Sequence, residues 1–167
     1  MAEPMEEEIK TALRTAVARA YQDTGLETPG WTKAIVEALL KCGHDHGYKV
    51  CCSHPEGDHP EWLYDLLWYH SDGTDEHERL RDVPMVMECE WHTATNKMSE
   101  DFEKLLVANA PLKVFVCCPP ITSREHWMDY FTDSIQNYVQ RRKDDRFVIG
   151  FLRDTSKDIW FETITVE

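Results

Sequence analysis

Residues 84–91 read Pro84-Met85-Val86-Met87-Glu88-Cys89-Glu90-Trp91, and residues 62–69 read Trp62-Leu63-Tyr64-Asp65-Leu66-Leu67-Trp68-Tyr69. Both are short apolar runs interrupted by acids. Runs of this length suit buried strands better than helices, so strands are expected over residues 61–69 and 85–91. Alternation then sets Glu88 and Glu90 on one strand face with Val86, and Met85, Met87, Cys89 and Trp91 on the other. On the earlier strand, Asp65 shares a face with Glu61 and Leu63. If the two strands are neighbours, Asp65 and Glu88 converge on one point. An unpaired carboxylate inside a buried strand is costly. Ion pairs with Lys or Arg can neutralise these acids, and so can a bound divalent cation. Hard oxygen donors of this kind suit Mg²⁺ or Mn²⁺ better than Zn²⁺.

Working outward, residues 6–23 form an amphipathic pattern with Ile9, Leu13, Ala16, Val17, Ala20 and Tyr21 on one face. The acidic first turn Glu6-Glu7-Glu8 complements the helix dipole. Thr28-Pro29-Gly30 reads as a helix start, with Thr28 as the cap. That second helix runs to about Cys42. A short strand over Tyr48–Ser53 follows, then a polar loop to Pro60. The charged stretch His70–Asp82 reads as a loop or a long hairpin connection. Ser99 is the expected cap of a helix running to Asn109, with Phe102, Leu105, Leu106 and Asn109 facing inward. Lys113–Cys118 is a strand, residues 123–142 an aromatic helix, and Phe147–Phe151 and Ile159–Val166 a hairpin turning at Asp154–Asp158. The order predicts an α/β fold in one domain. Its mixed central sheet combines a three-strand meander with a parallel crossover strand, flanked by helices.

This ordered pattern resembles the PD-(D/E)XK, or restriction-endonuclease-like, phosphodiesterase superfamily. Members have a helix, a three-strand meander, a crossover helix and a fourth strand. An acid sits on the second strand and an acid-x-Lys motif on the third. Asp65 matches the first acid and Glu88 the second, while Glu90 stands where Lys is expected. The match covers about residues 30–118. The resemblance implies a Mg²⁺- or Mn²⁺-dependent nuclease acting on DNA or RNA, with Asp65, Glu88 and the backbone carbonyl of Cys89 as metal ligands. Glu90 would be a ligand or base. Some members recruit Lys from the crossover helix, which here points to Lys104, although its helical position lies off the apolar face; Lys97 is a second candidate. Many members also carry a Glu on the helix before the sheet. Glu37 is in that region, but it projects away from the Ile35–Leu39 face and sits at i,i+4 from Lys33, which favours a solvated ion pair. Many nucleases of this type are dimers, and outward aromatics on the helix at 123–142 would supply a homodimer surface.

The net charge of −13 opposes nucleic-acid binding. Arg141-Arg142-Lys143 is the one dense basic cluster. The charge and the missing Lys support a different reading, an inactive nuclease-like protein that binds a protein partner. Six each of Trp, Tyr and Phe exclude an extended disordered chain. No run approaches the roughly 18 apolar residues of a membrane span, and the acidic N-terminus is no export signal. A cytoplasmic protein without membrane contact is expected, so the adjacent pairs Cys51-Cys52 and Cys117-Cys118 read as reduced core thiols. Cys42–His59 is rich in Cys and His but lacks finger spacing. Its His44 and His46 are expected to pair with Asp45, and a zinc module is the weakest of the three functional readings. Cys89 as a nucleophile lacks a base on its own strand face.

Overall fold

The structure is a computed structural model that describes residues 4–24, 28–74, 77–92, 95–152 and 158–167. Six strands form one mixed, open sheet in sequence order. They are β1 (Lys49–Cys52), β2 (Leu66–Asp72), β3 (Arg79–Glu90), β4 (Leu112–Cys117), β5 (Arg146–Leu152) and β6 (Ile159–Thr165). β1, β2 and β3 are an antiparallel meander. β3, β4 and β5 run parallel, and β6 returns antiparallel. Four helices are described: α1 (Pro4–Thr24), α2 (Thr28–Asp45), α3 (Thr95–Val107) and α4 (Arg124–Asn137). α3 and α4 are the crossovers that parallel pairing demands.

The period-2 pattern is visible in the two cores. Leu66, Trp68, Met85, Met87, Val114 and Val148 face α1 and α2. Leu67, Tyr69, Val86, Phe115, Phe147 and Ile149 face α3 and α4. On α1 the inward residues are Ile9, Leu13 and Val17; on α2 they are Trp31, Ile35 and Leu39. Phe102 of α3 packs against Phe131 of α4 with ring centres 4.3 Å apart, and both meet Phe115.

Several expectations need correction. The strand expected over 61–69 begins only at Leu66. His59 bonds to the outer edge of β1 through Val50 and Cys52. The chain must therefore cross β1 before it can enter β2 on the other side. It turns at Leu63, with φ at +66°, leaving Trp62 and Leu63 53% and 65% exposed. Asp65 lies at the end of this crossing, and Glu61 and Leu63 do not share a strand with it.

α3 starts one turn before the expected cap, and the Ser99 hydroxyl donates to the Asn96 carbonyl inside the helix. The extra turn buries Met98 with Phe102 and Leu105 at i,i+4,i+7 spacing, while Asn109 lies beyond the helix and is exposed. α4 stops at Asn137 because Tyr138 turns extended and the chain must return to pair Arg146 with Pro111. Part of the expected connection at His70–Asp82 is strand: β2 reaches Asp72 and β3 begins at Arg79, paired with it. Thr28 opens α2, but its side chain lies outside the described residues, as does most of the expected turn at Asp154–Asp158. None of the six cysteines is in a disulfide. No described helix is long and apolar enough to cross a membrane.

Candidate active site

The register Leu66↔Met87 brings Asp65 opposite Glu88 where β2 begins and β3 ends. Asp65 accepts the Cys89 amide proton at 2.7 Å, which continues the β2–β3 link one residue past the strand. Burial raises the Asp65 carboxyl, and the Cys89 amide opposes the rise.

Glu88 is 1% exposed on the face that α3 covers. Its Oε2 receives Lys104 Nζ at 3.2 Å, and its enclosed Oε1 has no hydrogen-bond partner. Burial, reinforced by the Asp65 charge, pushes the Glu88 carboxyl up to about 8, although Lys104 pulls it down. An orphaned carboxylate oxygen in this setting is costly to keep.

Lys104 meets Asp101 at 2.7 Å, one helical turn away. Burial disfavours the Lys104 charge, but Asp101 and Glu88 outweigh it and hold the ammonium well above its ordinary pKa. Asp101, the closer partner, is the stronger anchor. Glu90 joins the same chain of contacts from the next inward position of β3. It accepts from the His92 amide at 2.6 Å, contacts the His92 ring at 2.8 Å and shares a hydrogen bond with Asp101. Burial works to raise Glu90, but the His92 amide, Asp101 and the His92 ring hold it below its ordinary value. Asp101 moves the other way, raised by burial and by Glu90. Lys104 opposes that rise and draws Asp101 toward its charged form.

The structure thus brings together Asp65, Glu88 and Lys104, then links Lys104 through Asp101 to Glu90. Asp65, Glu88 and Glu90 do not close into a three-donor cage. Among the described residues, only Glu8, Cys42 and His46 bring three ligand atoms within 4.8 Å of one another. Cys89 turns its thiol to Met87 Sδ at 3.2 Å, and burial raises its pKa strongly, which describes an inert thiol. Lys97 pairs with Glu100 at 3.5 Å and is exposed. Glu37 takes the solvated role, 3.7 Å from Lys33 and 3.2 Å from His54. The sequence offers His92 as a neighbour of Cys89 and Asp101 as a first-turn acid, and ties neither to the acid site; the i,i+3 spacing of Asp101 and Lys104 is the available signal.

The expected pairing of His44 and His46 with Asp45 is not found. His44 bonds to Asp58 at 2.9 Å, His46 to Glu8 at 2.6 Å, and Asp45 to Lys41. The outward positions of α4, Glu125, Asp129, Asp133 and Gln136, are exposed and polar, while Trp127, Phe131 and Ile135 are buried. The helix therefore offers no aromatic dimer surface. Arg141-Arg142-Lys143 precede Arg146, which aligns through Leu112 with Met85, whereas Glu90 aligns with Cys117 and Phe151. The basic cluster lies at the opposite end of the sheet from the acids.

On the acid face of β2, Leu67 and Tyr69 follow Asp65 at two-residue steps. With Cys51, His59, Trp62 and Leu80 they line an open groove of about 450 Å³. No protein-family model, curated protein or solved structure matches the chain.

Proposed function

We propose that the chain is a metal-dependent phosphodiesterase on a restriction-endonuclease-like fold, hydrolysing DNA or RNA at the Asp65–Glu88–Lys104 site. The observation that carries this reading is the buried Glu88 carboxylate, with one oxygen unsatisfied and the other held by a lysine from the crossover helix. The acids also lie at the carboxyl end of β3, where it runs parallel to β4, the edge at which open α/β sheets hold ligands.

The donors fit a hard divalent cation: oxygens of Asp65 and Glu88, one of them without a partner. Such an ion supplies Lewis acidity and a more acidic bound water beside the scissile phosphate. Lys104 supplies the positive charge that position 90 lacks. Its ammonium, fixed by Asp101, stabilises negative charge growing on phosphate oxygens. Glu90, held by His92 and Asp101, orients that lysine through Asp101 and contributes no cation of its own. The exposed Trp62 beside the groove offers a stacking surface for a base of an unpaired strand, a contact that tolerates a protein of net charge −13.

The test is calorimetric titration with Mn²⁺ and Mg²⁺ of the native protein, Asp65→Asn and Glu88→Gln, followed by cleavage assays on single-stranded DNA and RNA. Divalent binding that both variants lose, together with cleavage, supports the reading. A second reading keeps the fold but assigns an inactive module binding a protein partner; it rests on Glu90 being committed to His92 and Asp101. Absence of both divalent binding and cleavage in the native protein favours that alternative.

A further inference from the structure

The Asp65–Glu88 site leaves a second cluster unused, at the far end of the helical layer. Cys42 and His46 are four residues apart, Cys42 in the last turn of α2 and His46 in the turn that ends it. That spacing stacks two side chains on one helix face. The same helix end lies beside the start of α1, where Glu8 reaches across. Sγ of Cys42, a ring nitrogen of His46 and a carboxylate oxygen of Glu8 all lie within 4.8 Å of one another.

The geometry points to a zinc site formed by Glu8, Cys42 and His46, with a fourth position open to water or an outside ligand.

The donor chemistry is the first argument. Thiolate, imidazole and carboxylate are the three protein ligand types that zinc takes, and three protein ligands plus one open position is a recurring arrangement. This soft and borderline set differs from the oxygen donors of Asp65 and Glu88, so the two sites select different ions. Zinc bonds of about 2.0–2.3 Å put tetrahedral ligand atoms roughly 3–4 Å apart. The present spacing is close to that, and the Glu8–His46 contact of 2.6 Å needs to open by about an ångström to admit the ion.

The second argument is the rigidity of the corner. The His46 ring is stacked on Tyr48 and on Trp68, with centroids 6.3 Å away in both cases. The Trp68 indole N–H is anchored on the Leu39 carbonyl at 3.0 Å. Gly43 lets this indole approach, since a Cβ there would stand 2.6 Å from Trp68 Nε1. His46 is thus oriented by packing before any ion arrives, as a preformed ligand requires. The third argument is access. An open groove of about 470 Å³ is lined by Glu8, Thr11, Lys41, Cys42 and Asp45, and gives an ion a path to the buried thiol.

The full chain, freed of metal with a chelator, is titrated with Co²⁺ and then Zn²⁺. The expected result is one thiolate-bound Co²⁺ per chain, marked by a thiolate-to-cobalt charge-transfer band and displaced by one Zn²⁺. Cys42→Ser abolishes the band, and His46→Gln weakens zinc binding by tenfold or more while circular dichroism shows the native fold. Asp65→Asn and Glu88→Gln keep both the band and the zinc affinity, which separates this site from the phosphodiesterase reading. No charge-transfer band in the native chain, or equal zinc affinity in Cys42→Ser and His46→Gln, overturns the site and leaves a plain Glu8–His46 hydrogen bond beside an inert thiol.

Discussion

The Asp65 carboxylate accepts the Cys89 amide proton at 2.7 Å, across the point where β2 has not yet begun and β3 is about to end. This one contact is both structural and chemical, and two substitutions separate the roles. Asp65→Asn keeps a carbonyl acceptor for the amide, so its stability in urea should stay within about 1 kcal/mol of native. Asp65→Ala removes the acceptor and should cost about 1–3 kcal/mol. Both should lose divalent binding. Equal instability of the two variants would show that the amide contact depends on the charge.

Glu88 makes stability depend on pH in an unusual direction. Its carboxyl titrates at about 8 in the fold, against 4.5 as the ordinary value. Between these values the folded chain holds a proton that the unfolded chain has released. The stabilisation from neutral Glu88 is complete below about pH 4.5 and is lost as pH rises through about 8. Native stability minus that of Glu88→Gln should therefore fall across this window. Because the ion needs the carboxylate, divalent affinity should rise about tenfold per pH unit below the folded pKa. A flat difference in urea unfolding from pH 5 to 8.5 rejects the assignment.

Lys104 tests whether the site is catalytic. Lys104→Met removes a cation that competes for Glu88, so Mn²⁺ affinity should not fall and should increase. Cleavage should drop roughly 100- to 1000-fold, as for loss of a single group aimed at developing charge. Unchanged cleavage with intact metal binding would reduce Lys104 to an ion-pair partner of Asp101.

Gly43→Ala opposes helix propensity to packing. Alanine gains at most about 1 kcal/mol over glycine in a helix, and less in a last turn such as this one. Its Cβ would also lie 2.6 Å from Trp68 Nε1 and 2.9 Å from Val50 Cγ2. Overpacking of this kind costs about 1–3 kcal/mol, so the variant should unfold at lower urea and lose the Trp68–Leu39 hydrogen bond. A more stable variant would mean that β1 and β2 can shift away from α2.

Much of the sheet was legible because period 2 is strict where both faces are buried. Met85, Val86, Met87 and Glu88 assign themselves to alternate cores, and the meander and crossover follow from element order. Residues 61–65 were not legible, since their apolar composition imitates a strand. Their path is fixed by His59 lying on the far edge of β1, a long-range contact with no local pattern. The resemblance points to Lys104, whereas helical spacing alone sets it off the core face. Asp101 and Lys104 flank the Phe102–Leu105 stripe, and a long flexible side chain reaches sideways to Glu88. Cys42 and His46 lack finger spacing because their third partner, Glu8, comes from another helix.

The segment that follows β1 lies along that strand's outer edge, while no described strand pairs beyond β6 at the other. The Val50 and Cys52 backbone groups that face away from β2 are taken by Asp58 and His59, so this stretch of edge has little left to offer a strand of another molecule. The segment that routes Asp65 into place therefore also blunts an edge at which separate molecules could zip together.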